Sequence, residues 1–385
     1  MKRKEYCLDE IIHIKHGYAF KGEFFSEVQT DDILLTPGNF NIGGGFKAHK
    51  LKYYNGEFPV DYLLDENDVI VTMTDLSKET DTLGFSAKVP AWHGKRFLHN
   101  QRIGLVKLKT QDFDLNYLYW LMRTYSYQRF VANGATGATV KHTSPTKICQ
   151  YKFTAPESKE TQRRIASILS AYDDLIENNL KRIKLLDEKA NLMYKLMQME
   201  LSDAKKINLY DFADIQMGYA FKAEAFNEKG EGIPIIRIRD IPSQLTKSYT
   251  TQEVDNQYWV EKGDLLIGMD GEFHMNEWLG QRGYLVQRVC RLRAKFELYQ
   301  SYLWQALKEP IHFYETTISG ATVAHLGKKH LEEIFVPHPK DSMKNELEEM
   351  NTMRKLKIVL AEQNTKLREA RDILLPRLMS GEIEV

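Results

Sequence analysis

A chain of 385 residues with 43% apolar side chains is long enough for two hydrophobic cores, and its 53 Lys and Arg are matched by 53 Asp and Glu. The zero net charge excludes a uniformly basic coat for nucleic acid, though not local basic patches. Three scattered cysteines, Cys7, Cys149 and Cys290, exclude a disulfide framework and a zinc spacing and suit a reducing cytoplasm. No apolar run approaches about 18 residues, so no membrane span is expected. The charged start Met1-Lys2-Arg3-Lys4-Glu5-Tyr6 has no apolar stretch behind it, so no secretory leader is expected either.

In chain order, Gly17-Tyr18-Ala19-Phe20-Lys21 enters a mixed region. Short apolar runs at 68–72 and 104–108, bounded by Gly, Pro and Asn, predict strands. Residues 115–130 read as helical, and a small-residue loop at 134–142 leads into a helix at Thr146. After Pro156, with Ser158 placed to cap, Ile165, Leu169, Tyr172, Ile176, Asn179, Ile183, Leu186, Ala190, Met193 and Met197 step alternately by four and three. That is a heptad seam with one polar position, and it predicts a long helix.

The order then repeats. Gly17 to Lys21 recurs as Gly218-Tyr219-Ala220-Phe221-Lys222, 201 residues on; Asp68-Val69-Ile70-Val71 pairs with Asp264-Leu265-Leu266-Ile267, and Gln101-Arg102 with Gln287-Arg288. Gly137-Ala138-Thr139-Val140 and His142 match Gly320-Ala321-Thr322-Val323 and His325, and Pro156 matches Pro339. Residues 184–197 resemble 366–379 at an offset of 182, so the second copy is shorter between shared blocks. Its seam is rougher: Met350, Met353, Leu360, Asn364, Leu367, Leu374 and Leu378, with Lys357 and Arg371 where apolar residues are expected, Pro376 near the end and Gly381 after it.

These patterns predict an α+β chain: two mixed domains, 1–155 and 206–338, alternating with long helices, 156–205 and 339–385. A helix of about 40 residues spans roughly 60 Å, too long to hide its seam in a small domain. The economical arrangement has the two seams bury each other, antiparallel about a pseudo-twofold axis, with the mixed domains at opposite ends. The alternatives are that each helix packs on its own domain, or that the seams drive dimerisation.

Two windows lack acids. Residues 83–110 hold Lys88, Lys95, Arg96, Arg102, Lys107 and Lys109, with His93 and His99, and residues 279–295 hold Arg282, Arg288, Arg291, Arg293 and Lys295. Such clusters neutralise phosphates, and Arg and Gln read guanine and adenine edges bidentately. Gln101, Arg102, Gln287 and Arg288 are therefore candidate DNA contacts, with Lys95, Arg96 and Arg282; the bland reading is a solvated strand face balanced by acids elsewhere. Lys21 and Lys222 follow aromatic pairs that serve either as core anchors or to present the lysine to phosphate. Thr139, Lys141, His142, Thr322 and His325 lie in loops before predicted helix starts, where N–H groups bind phosphate, or in ordinary turns. Arg237 and Arg239 are expected on one face of a strand, with Asn39 at the counterpart position. Enzymatic signatures are missing: no Asn-Pro-Pro-Tyr-like run for amino methylation, no phosphate-binding Gly-rich loop with Lys, and no nucleophile context for Ser or Cys.

With these features the whole chain resembles the specificity subunit of type I restriction–modification enzymes. The resemblance is carried by the Gly17 to Lys21 segment and its duplicate, by the Gly-Ala-Thr loops, and by Pro156-Glu157 through Glu160-Thr161-Gln162-Arg163-Arg164-Ile165. The most specific stretch is Leu367-Arg368-Glu369-Ala370-Arg371-Asp372-Ile373-Leu374-Leu375-Pro376-Arg377-Leu378-Met379-Ser380-Gly381-Glu382-Ile383. The run 342–345 departs from it, lacking the Glu-x-Gln-Arg-Arg pattern of the first copy. The resemblance implies a non-catalytic, cytoplasmic subunit that recognises a split, asymmetric site in double-stranded DNA. It implies two methylation subunits using S-adenosylmethionine and restriction subunits using ATP and magnesium, with no cofactor on this chain. The competing readings are a coiled-coil scaffold and a methyltransferase or nuclease acting alone.

Overall fold

The computed structural model describes residues 2–48, 50–75, 77, 80–318 and 324–385. It divides into two compact units, Met1–Asp174 with Arg368–Val385, and Leu175–Leu367. In the first, alternation along Ile12–His16 buries Ile12 and Ile14 and leaves His13 exposed, as a strand with one wet face requires. This strand pairs antiparallel with Ile103–Leu108, which pairs in turn with Val69–Thr72 and that with Ser86–Lys88. A second, five-stranded sheet runs Phe25–Ser26, Lys52–Tyr54, Asp32–Leu34, Arg96–Leu98, Leu63–Leu64, and its central pair is parallel, Phe97 against Ile33. Ile33, Leu64 and Phe97 of one sheet meet Ile70, Ile103 and Leu105 of the other in a shared core.

The second unit repeats this plan. A four-stranded sheet runs Ala213–Met217, Val289–Ala294, Leu265–Gly268, Met275–Glu277; a five-stranded sheet is again centred on a parallel pair, Ile233–Ile236 with Gly283–Leu285. The strands Lys152–Pro156 and Phe335–Pro337 return to pair with Arg3–Cys7 and Lys206–Asn208. The duplication seen as scattered sequence blocks is thus a duplication of strand order and direction.

The long helices are Lys159–Glu200 and Lys344–Ser380. Ser158 caps the first, its Oγ accepting the Thr161 N–H at 3.4 Å. The second follows directly from a tight turn at Asp341–Met343, so the stretch where the sequence pattern departs is itself the helix start. It ends at Gly381, whose φ of +86° and N–H bond to Arg377 O at 3.1 Å form a left-handed cap.

Within each unit the helices lie antiparallel on each other and on the mixed domain. In the first, Ile165 and Leu169 join Leu375, Leu378 and Met379 in one core with Tyr117, Trp120 and Tyr127. In the second, Ala190, Tyr194 and Met197 join Met350 and Met353 in a core with Tyr302 and Leu303. The two packings set against each other at the sequence level therefore coexist. Ile176, Asn179, Leu360 and Asn364 are buried, while Tyr172, Ile183, Leu186, Leu367 and Leu374 are half-buried, because two helices cannot enclose their seam on all sides. Asn179 Nδ2 donates to Asn364 Oδ1 at 3.0 Å, so the two polar seam positions satisfy each other.

Candidate nucleic-acid interface

The repeated Gly-Tyr-Ala-Phe-Lys segment is explained by what passes over it. A Cβ on Gly17 would lie 2.1 Å from Asn100 O, and one on Gly218 would lie 2.0 Å from Val286 O, so only glycine admits the neighbouring chain. That neighbour is a tight turn. Ile103 N–H returns to Asn100 O at 3.0 Å and Val289 N–H to Val286 O at 3.1 Å, which puts Gln101-Arg102 and Gln287-Arg288 at the two corners. The Tyr18 and Tyr219 carbonyls accept the Gln101 and Gln287 N–H groups at 2.9 and 2.8 Å. Phe20 and Phe221 are buried anchors below, and all four turn side chains are exposed.

A second strand of backbone joins each loop to its turn. Met73 N–H donates to Arg102 O, and Thr143 N–H to Met73 O, at 2.9 and 3.0 Å; in the second unit Met269 N–H donates to Arg288 O, and Leu326 N–H to Met269 O, both at 2.8 Å. Lys141-His142 pair with Thr74-Asp75, and His325 bridges Asp270. Each unit therefore gathers a Gln-Arg corner and a loop histidine on one backbone frame, Gln101, Arg102, Lys141 and His142 in the first and Gln287, Arg288 and His325 in the second. Thr139 is exposed in the hairpin that Thr136 and His142 close. Thr322 and the Gly-Ala-Thr-Val match of the second copy lie outside the described residues.

Histidine contacts differ. Thr74 Oγ1 is 3.2 Å from His142 Nδ1. At the matching place Asp270 Oδ1 is 2.6 Å from His325 Nδ1, and its Oδ2 is 3.3 Å from Arg288 Nε. Asp75, next to Thr74, is buried and serves its own loop: it accepts the Ser77, Thr82 and Leu83 N–H groups and the Thr82 hydroxyl at 2.6–3.0 Å. Burial pushes its carboxyl up, but these bonds outweigh it and hold it below the usual range.

The remaining candidates sit differently. The acid-free windows are acid-free in sequence but not in space, because neighbouring strands supply the acids. Lys95 Nζ is 3.0 Å from Asp31, Arg96 Nε 2.7 Å from Asp32 and Arg282 Nε 2.7 Å from Glu261. Lys107 meets Asp68, and Arg293 meets Asp264. Arg282 also lies over the Trp259 ring, 3.9 Å from its centre. Asn39 is 1% exposed, and its Oδ1 accepts from Thr36 N–H and Oγ1 at 2.9 and 3.0 Å, so it builds a turn instead of facing outward. The expected strand through Arg237 and Arg239 is corrected: the strand stops at Ile236, because Asp240 accepts the Arg237 N–H and starts a short helix. Arg237 lies over Phe226, and Arg239 reaches Glu228 and Ser248. Lys21 and Lys222 are exposed, Lys21 with only a loose 3.9 Å contact to Glu23. The helices after the loops, Pro145–Cys149 and Lys328–Glu332, have five residues each, and Ser144 Oγ and His330 Nδ1 already take N–H groups at their starts.

Thr74 and Asp270 escaped sequence reading, because a Thr opposite an Asp breaks a match; carrying the offset of the preceding block, Asp68 to Asp264, forward by six residues was the signal that could have paired them. Among the described residues no group of His, Cys, Asp and Glu is arranged to hold a metal ion, and no helix is long and apolar enough to cross a membrane.

The model of the type I restriction modification DNA specificity domain matches the chain twice, over residues 2–187 and 202–357. The specificity subunit of the type I restriction enzyme EcoBI from Escherichia coli is 33% identical over 135 residues, 35% of this chain and 28% of that protein. The specificity subunit of the type I restriction enzyme MjaVIII from Methanocaldococcus jannaschii is 22% identical over 315 residues, 73% of each chain. The crystal structure of the S subunit of a type I restriction–modification system from M. genitalium aligns with a TM-score of 0.56 at 18% identity, covering 98% of this chain and 96% of that one, which is a likeness of fold.

Proposed function

We propose that this chain, which belongs to the type I restriction–modification DNA specificity family, reads a split, asymmetric site in double-stranded DNA and directs adenine methylation or DNA cleavage by partner subunits. The observation that carries the proposal is the twice-built turn, an exposed Gln-Arg pair held at the corner by the Tyr18 or Tyr219 carbonyl. Gln and Arg are the side chains that pair bidentately with adenine and guanine in the major groove. A rigid backbone aims them, whereas phosphate contacts need no such direction. In this reading Lys21, Lys222, Thr139, Lys141 and His142 grip the DNA backbone beside the Gln-Arg corners. Lys95, Arg96, Arg282, Arg237 and Arg239 enter as ion-paired or stacked supports that reach DNA only by exchanging partners.

The chain does no covalent chemistry in this reading. Two methylation subunits bring S-adenosylmethionine, restriction subunits bring ATP and magnesium, and the assembly works in the cytoplasm. The test is to combine the purified chain with its methylation subunits and sequence the methylated adenines. The expected result is one split sequence methylated by the complex and no methyl transfer by the chain alone. Methyl transfer by the chain alone, or a complex that methylates without sequence preference, contradicts the proposal.

A further inference from the structure

The two corners share a backbone frame and differ in one side chain beneath it. Thr74 and Asp270 each follow the Met whose N–H donates to the Arg carbonyl of the turn. Thr74 is neutral, 3% exposed and touches His142. Asp270 bridges Arg288 Nε and His325 Nδ1. We propose that this position determines specificity: Asp270 positions Arg288 so that its two terminal nitrogens face a guanine edge in the half-site read by the second unit. The inference rests on the DNA-reading function proposed above.

A carboxylate is the wrong group for a surface that only grips phosphate, since it repels the backbone it faces. It is the right group for orienting a guanidinium. Nε lies on Asp270, and the terminal Nη1 is 3.5 Å from His325 Nδ1; because that ring nitrogen gives its proton to Asp270 it takes none from Nη1, so both terminal nitrogens keep their protons for the bidentate fork that matches guanine O6 and N7. The same carboxylate takes the His325 Nδ1–H, which fixes the tautomer and leaves Nε2 as an acceptor. Holding both side chains before binding removes rotamer freedom that would otherwise be lost on the DNA. The backbone agrees. Arg288 sits at φ +73°, a left-handed conformation unfavourable for a residue with a long side chain, yet the corner carries Arg and not Gly. At the first corner the side chain beneath is a neutral hydroxyl, so Arg102 is not directed in the same way. Were the trio only a surface ion pair, it would contribute little to affinity and nothing to base choice.

The experiment uses the chain assembled with its methylation subunits on a random DNA library, scored by sequencing methylated sites. Wild type is compared with Asp270→Thr, Asp270→Glu and Arg288→Ala. Asp270→Thr is expected to weaken the preference at one position of one half-site by about fivefold or more, leaving the other half-site unchanged. Arg288→Ala should lose preference at that same position, and Asp270→Glu should restore part of it, which a merely structural role would not do. If a melting curve shows that Asp270→Thr does not fold, Asp270→Asn, of the same shape without the charge, carries the same expectation. A wild-type preference that these Asp270 variants leave intact, or a uniform loss over all sequences, overturns the inference alone. A wild-type complex with no preference overturns the DNA-reading function and this inference with it.

Discussion

Gly17 and Gly218 act by what they lack: each lets a turn lie against its backbone at a distance that no side chain would permit. The turn then exposes one Arg per unit, and these two residues should carry measurable binding energy. Alanine at a base-reading Arg typically costs about 1–3 kcal/mol and relaxes one position; at a phosphate-contacting Arg it reduces the salt slope by about 1. Arg102→Ala and Arg288→Ala are each expected to do one or the other, read by titrating DNA at several salt concentrations. Unchanged affinity and unchanged slope in both variants would remove them from the interface. The Gln-Arg corners were legible in sequence because both copies keep them. Asp270 was not, since its counterpart is Thr74. Nor was the pairing of Lys95 with Asp31 or Arg282 with Glu261, because strand neighbours far apart in sequence supply the acids.

At the scale of the helices, the two basic residues that interrupt the second seam have a physical use. Lys357, nearly buried, is 2.6 Å from Glu277 of the mixed domain and also pairs with Asp187 of the first helix; Glu277 takes Arg354 at 2.8 Å. Burial works against the Lys357 charge, but these two acids outweigh it and raise its pKa. In the first unit Arg371 pairs with Asp173, which also meets the buried Arg123 at 2.6 Å. In both units a seam cation of the second helix, an acid of the first and a charged residue of the mixed domain form one network, so each domain is seated on its helices by charge as well as by apolar contact. Removing one member of a buried network leaves the others uncompensated, which typically costs about 3–5 kcal/mol. Lys357→Met is therefore expected to lower the denaturation midpoint strongly, and Lys355→Met, an exposed neighbour, to change stability by less than about 1 kcal/mol. Equal effects would show that the network does not hold the unit together. The seam itself was legible from heptad spacing, and Asn179 stood out as its polar position. The use of Lys357 and Arg371 was not legible, because Glu277 and Arg123, which complete the two networks, come from the mixed domains, where no periodicity points to them.

For the whole molecule, duplication is the central fact. Strand order, the parallel central pair and the Gly-supported turn occur twice, while the side chains beneath the turns have diverged. The repeat was legible from six blocks in the same order, and the resemblance to specificity subunits from the Gly17 to Lys21 segment and its duplicate, the Gly-Ala-Thr loops, the stretch from Pro156 to Ile165 and the helical C-terminal run. Two like frames that keep the Gln-Arg corner but differ in the side chain beneath it, Thr74 against Asp270, and in the neighbouring loops should read two unlike half-sites, each independently of the other. The most direct measurement exchanges residues 206–338 for the same region of a relative and sequences the sites methylated by the assembled complex. The account predicts that one half-site changes and the other stays as it was; a change in both halves, or in neither, would contradict it.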